Sequence, residues 1–212
     1  MWSEPIPGPR YASNTDIQWA NVVKITKQLQ GWKESMEVGL VNFNSTEIKH
    51  WEKLFPIAKF LKVHLDNAGK DLTWADLYPE WIDEEEESNV PHCRNLPVPK
   101  VPRGSQFHMV AVKLPCDKTG NWTRDIARLH LQHAAAKLSA DTEAGHHRTH
   151  VLLVTECLPM PNLFSCKNLV ARKGSNWLYR PDMEVLKQKL QLQIGSCELL
   201  LPLKRTGELS II

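Results

Sequence analysis

Short apolar runs alternate with helix-patterned segments along most of this chain, and that alternation restricts the possible folds more than any other feature. Val38-Gly-Leu-Val-Asn-Phe43, Met109-Val-Ala-Val-Lys-Leu114 and Val151-Leu-Leu-Val154 are too short for helices and suit buried strands. Leu61, Val63 and Leu65 alternate as a fourth strand, and Cys197 to Leu203 forms a last apolar run. Between them lie helical spacings. Asn14-Thr15-Asp16 opens a segment with Val22, Ile25, Leu29 and Trp32 on one face, closing near Gly31. Asn44 followed by Glu47 predicts a capping box before Ile48, Trp51 and Phe55, and Pro56 ends that helix. Thr73 to Tyr78 predicts a single turn before Pro79. Thr123 is expected to cap a long helix to Leu138 whose apolar face is wide enough for burial against a sheet. Pro181 fits the first turn of a helix carrying Met183, Leu186 and Leu190. The expected class is α/β, a mostly parallel sheet with flanking helices. Prolines at 91, 97, 99 and 102 mark an extended connector over about residues 91–104.

Composition narrows the function classes. With 212 residues, 42% of them hydrophobic, the chain can bury one sizeable core. A net charge of +2 offers no electrostatic footprint for nucleic acid or a charged membrane surface. No apolar run approaches the length of a membrane span, and the Pro-rich start, Met1 to Arg10, lacks a signal-peptide core, so these residues read as soluble. The five cysteines, Cys93, Cys116, Cys157, Cys166 and Cys197, contain no CxxC pair. They suit buried thiols in a reducing compartment or disulfides in an oxidising one, where the odd count leaves one unpaired or bonded elsewhere.

Several residue groups invite chemical readings. His130 and His133 lie three apart on a predicted helix and, with His146, His147, His150 and Cys157, contain the donors of a zinc site; packed or surface histidines are the plainer reading. Cys157 could serve as a nucleophile if a base lowered its pKa, though Pro159 and Pro161 beside it favour a structural role. The acidic run at 83–87 could gather cations, or form a solvated loop. Asn44-Ser-Thr46 and Asn121-Trp-Thr123 are N-glycosylation sequons, and both also read as helix starts. Among eight tryptophans, Trp81 and Trp177, with Tyr179, flank polar segments where a sugar ring could stack; core or loop anchoring is the competing role.

A series of segments carries a family resemblance. Trp74-Ala-Asp-Leu-Tyr-Pro-Glu-Trp-Ile-Asp-Glu-Glu-Glu-Glu87 resembles a stretch upstream of the catalytic domain in plant family 8 glycosyltransferases that add glucuronic acid to xylan. Val38-Gly-Leu-Val-Asn42, Val112-Lys-Leu-Pro-Cys116, Cys157-Leu-Pro-Met160, Leu163-Phe-Ser-Cys166, Trp177-Leu-Tyr-Arg-Pro181 and Gly195-Ser-Cys197 through Leu203 follow the same family in order. The likeness runs from about Glu37 to Leu203. It divides the chain into an N-terminal extension with a helix at 1–36, an α/β pre-catalytic domain at 37–203 and a tail at 204–212, without the catalytic domain.

The resemblance implies a Golgi transferase acting on the lumenal side in plant cell wall biogenesis, held in the membrane by an anchor outside these residues. It implies UDP-glucuronate as donor, xylan as acceptor, and manganese seated by an Asp-x-Asp motif, because a hard divalent ion takes oxygen ligands and neutralises the departing diphosphate. No Asp-x-Asp occurs here, so no catalytic, donor-binding or metal residue and no cofactor is carried over. The expected partners are the catalytic domain, the xylan acceptor and a second copy in a homo-oligomer. The order of helix 123–138, strand 151–154 and Glu156-Cys157-Leu158 resembles a degenerate GT-A-like (Rossmann-like) domain that lacks its metal pair. In that lumenal setting Cys157 is expected to pair with Cys166. The alternatives are a carbohydrate- or partner-binding pseudoenzyme, and a zinc- or thiol-dependent hydrolase.

Overall fold

The computed structural model describes residues 10–27, 29, 36–79, 93–118, 124–141, 149–191 and 194–196. The strands are β1 (Glu37–Val41), β2 (Lys59–Lys62), β3 (Met109–Lys113), β4 (His150–Val154), β5 (Leu169–Lys173) and β6 (Asn176–Tyr179). The helices are α1 (Trp19–Thr26), α2 (Ser45–Leu54), α3 (Trp74–Leu77), α4 (Ile126–Ala140) and α5 (Met183–Leu190). Among the described residues, one six-stranded sheet runs β2-β1-β3-β4-β6-β5. The pairs among β2, β1, β3 and β4 are parallel, while β6 runs antiparallel to both β4 and β5.

The central strands are unbroken apolar runs because both faces of the sheet are covered. Side chains still alternate between two cores. Met109 and Ala111 of β3 join one cluster with Val38, Leu40, Leu152 and Val154. Val110 and Val112 join the opposite cluster with Val41, Val151 and Leu153.

The first face carries α1 and α2. Trp51 of α2 is fully buried, with Phe43, Phe55, Phe60 and Trp19 around it at centroid distances of 5.6 to 6.0 Å. The expected capping box holds: Asn44 Oδ1 accepts from Glu47 N, and the Glu47 carboxylate accepts from Asn44 N, both at 2.9 Å. Residues expected as an N-terminal extension are built into the domain, since Ile17, Val22, Ile25 and Leu29 pack in this core and Tyr11 packs in the other. Helix α1 starts at Trp19, later than Asn14-Thr15-Asp16 suggests, because residues 10–17 instead cross the sheet's edge without helical structure.

The second face carries α4. All but His133 and Lys137 of its fifteen residues are buried. Its cap is Asp125, whose side chain accepts from Arg128 N at 3.1 Å; the expected Thr123 lies outside the described residues. A second layer encloses α4, formed by α5, residues 158–164 and the crossover from β2 to β3, which contributes Val63, Ala68, Leu72 and Leu77. The Pro-rich connector is extended: residues 93–99 carry neither helix nor strand, and Lys100 makes one isolated bridge with His64.

The β5–β6 hairpin is the element the periodicity did not indicate. Its two-residue turn is Gly174-Ser175, with Gly174 at φ +57°, which a side chain resists. The strand expected at 61–65 is β2, shifted toward the amino end, and the run 197–203 lies outside the described residues.

Candidate functional site

Strands β1 and β3 are parallel neighbours, but the chain leaves them on opposite faces, into α2 and α4. Such a divergence opens a crevice at the carboxyl ends of the strands, the usual ligand position in open α/β sheets. Here the crevice measures about 430 Å³ and is lined by the ends of β1, β2 and β3, the start of α2 and residues 11–13.

Asn42 organises it. This residue ends β1 at φ 62°, a left-handed conformation that asparagine tolerates better than most residues. Its Nδ2 donates to the carbonyls of Tyr11 and Lys113, both at 2.8 Å. Ser13 Oγ donates to Leu114 O at 2.8 Å. Residues 11–13 therefore form a strap across the sheet's carboxyl edge. Beside it, Lys113 Nζ sits 2.6 Å from Glu47 Oε1, with side chains only 9% and 15% exposed. Glu47 thus serves both the capping box and the ion pair.

Under the strap, a hydrogen-bonded chain joins four segments. Ala68 N donates to Tyr11 Oη at 2.9 Å, Tyr11 lies 2.6 Å from His130 Nδ1, and His130 Nε2 lies 2.7 Å from Pro97 O. A carbonyl only accepts, so Nε2 carries the proton and Nδ1 accepts from Tyr11. Burial holds His130 below its usual pKa and raises that of Tyr11, keeping both neutral. Both His130 nitrogens are committed to protein partners.

The corner after β4 is likewise closed by protein groups. Glu156 pairs with Lys118. Cys157 forms a disulfide with Cys116, with Cα atoms 5.5 Å apart. The pairing expected between Cys157 and Cys166 is therefore corrected, and Cys166 is an exposed free thiol. Sheet register explains the choice. Lys113 and Val154 are partners in the parallel β3–β4 pair, and each cysteine lies three residues beyond its partner, so the two arrive side by side. Cys93 is also disulfide-bonded. Arg128 Nη2 donates to Leu158 O at 2.6 Å, and Gln132 holds Met160 through both its amide atoms, at 3.2 and 3.0 Å.

The other sequence-nominated residues are dispersed. Trp177 and Tyr179, proposed as sugar contacts, are each 4% exposed and belong to the core. Trp177 Nε1 donates to Thr155 O and Arg172 lies over its ring, while Tyr179 packs 5.6 Å from Phe164. Antiparallel pairing of β6 with β4 draws both rings inside. Burial pushes the Tyr179 phenol up to about 12. Asn44 is exposed and caps α2. Trp81, Asn121, His146, His147 and the run 83–87 lie outside the described residues. His133 is held down to about 4, first by burial and then by His130, and His150 is lowered by burial and Arg180. Among the described residues no three His, Cys, Asp or Glu side chains cluster as metal ligands. The corner after β4 does not fit a divalent cation: its carboxylate faces an ammonium and its sulfur is in a disulfide. Lys113 and the strap were not singled out from sequence, and Glu47 was read only as a capping-box partner. The only hint was a lysine closing an otherwise apolar strand.

These features define a doubly wound α/β domain whose strand-end corners are braced by its own side chains. The chain belongs to the family described as the GUX1-5 N-terminal domain, whose profile matches residues 9–197. It is 49% identical over 201 residues to UDP-glucuronate:xylan alpha-glucuronosyltransferase 1 of Arabidopsis thaliana, covering 92% of this chain and 30% of that protein. It is 46% identical over 198 residues to the putative UDP-glucuronate:xylan alpha-glucuronosyltransferase 3 of the same plant, covering 92% and 32%. The chain thus spans about a third of the length of these relatives. No solved structure matches it. No described helix is long and apolar enough to cross a membrane.

Proposed function

We infer that this domain works as a non-catalytic accessory domain of a xylan glucuronosyltransferase of plant cell wall biosynthesis. One observation carries the reading. The two corners where a Rossmann-like domain would hold a nucleotide and its metal are braced by internal pairs, Lys113–Glu47 and Lys118–Glu156, with the Cys116–Cys157 disulfide across the second. A diphosphate at the start of α2 would meet the Glu47 carboxylate, which repels it. The loop from Glu156 to Leu158 reads as a degenerate counterpart of a metal-binding corner.

In this reading UDP-glucuronate and manganese belong to the catalytic domain, and the accessory domain supports that domain and its xylan acceptor. Disulfides at Cys93 and Cys116–Cys157 suit the oxidising lumen of the Golgi. The test is glucuronate transfer from UDP-glucuronate to xylohexaose with manganese present. The purified chain is expected to transfer none. A chimera carrying residues 9–197 in place of the matched segment of the Arabidopsis alpha-glucuronosyltransferase 1 is expected to transfer. Turnover by the isolated chain, or a folded but inactive chimera, overturns the reading.

A further inference from the structure

The crevice holds more hydrogen-bonding capacity than the protein itself uses. Asn42 gives both Nδ2 hydrogens to carbonyls, yet its Oδ1 meets no hydrogen-bond partner among the described residues. Asn44 commits Oδ1 to its cap and leaves Nδ2 without a partner among the described residues. The side chains of Asn67 and Lys62, which also line the space, make no hydrogen bond or ion pair with described residues. Val41, Phe43, Val63 and Leu65 supply apolar lining between these groups.

Planar amides presenting a donor and an acceptor beside apolar lining match the two sides of a pyranose ring. Its hydroxyls each give and take a hydrogen bond, and its C–H face packs on carbon. A volume of about 430 Å³ has room for such a unit with its linkage atoms. Phosphate fits poorly. The Asn44 and Glu47 backbone N–H groups at the α2 start are already bonded within the capping box, and the Glu47 carboxylate stands where the anion would sit.

We propose that this crevice is a non-catalytic subsite for one neutral pyranose unit of an oligosaccharide chain. The subsite deepens the accessory reading and rests on it. It lies at the strand ends, where neither Trp177 nor Tyr179 lines it.

Calorimetric titration with xylohexaose tests it, using protein with its disulfides formed and without N-glycans, so that no glycan at Asn44 fills the space. One-site saturable binding is expected, with no displacement by inorganic diphosphate. Asn67→Ala removes one exposed amide and should weaken binding by about fivefold, the worth of one neutral hydrogen bond. Asn67→Trp should fill the crevice and abolish binding at unchanged melting temperature. Val185→Ala, on the exposed side of α5, should leave affinity unchanged. Backbone amide shifts at residues 41–44 and 113 on adding xylohexaose give a second measurement if Asn67→Trp does not fold. Absent binding, unchanged binding in a folded Asn67→Trp variant, shifts confined elsewhere, or displacement by diphosphate would overturn the proposal. The transfer assay keeps the two readings apart. A chain that neither transfers nor binds sinks the subsite alone, and one that transfers sinks the accessory reading beneath it.

Discussion

The two faces of the sheet are covered by different physical means. On the α1 and α2 face, apolar side chains meet apolar side chains around Trp51. On the other face, α4 is enclosed except at His133 and Lys137, and its fully buried Arg128, His130 and Gln132 reach outward to the backbone of the loops that cover it. An aromatic core tolerates exchange of one hydrophobe for another of similar volume. A buried polar side chain that satisfies loop backbone does not, because its removal leaves the loop's own groups unpaired. The lesson is that one sheet can carry a face specified by volume and a face specified by hydrogen bonds.

Trp51→Ala should give the largest effect, since it empties the centre of the volume-specified face. A loss of about 4 kcal/mol in urea unfolding is expected, and a loss under 1 kcal/mol would remove the contrast. Gln132→Leu, nearly isosteric, should cost about 2–3 kcal/mol by stranding the Met160 N–H and C=O. A neutral result there would mean that the α4 face is also held by volume.

Acid should separate the faces further. The His130 and His133 pKa values are depressed in the fold, His133 to about 4, while an unfolded histidine takes up its proton near about 6.5. The unfolded chain therefore binds protons first as pH falls. The histidine contribution is whole above about pH 6.5 and is lost progressively toward about pH 4. Urea midpoints should drop across that window, and His133→Gln should flatten the drop. An equal slope in the variant would break the link to α4. The smallest effect is expected at Asn44→Ala, about 1 kcal/mol from the lost α2 cap, read as a small fall in melting temperature.

The elements that follow simple periodicity were legible in the sequence. The runs that became β1, β3 and β4 had to be strands once their length excluded helices, and Asn44 with Glu47 marked the start of α2. The breadth of the apolar face of α4 signalled its burial, but not that Arg128, His130 and Gln132 would be buried with it, because partners far away in sequence decide that. Most of the site was not legible. The crevice depends on β1 and β3 lying side by side, and strand order is not written in local patterns. The same gap misassigned Cys157 to Cys166, since only the register of β3 with β4 brings Cys116 to it. Trp177 and Tyr179 looked available for sugars because the β5–β6 hairpin that buries them was hidden in a short, half-polar stretch.

The strap has a consequence for synthesis on the ribosome. Tyr11 finds its partner 119 residues later at His130, and Ser13 finds its own 101 residues later at Leu114. The earliest-made part of the domain is thus among the last to settle, waiting in the nascent chain until α4 has emerged. Such long-range closure slows folding and leaves Tyr11 and Ser13 without their partners through most of the domain's translation.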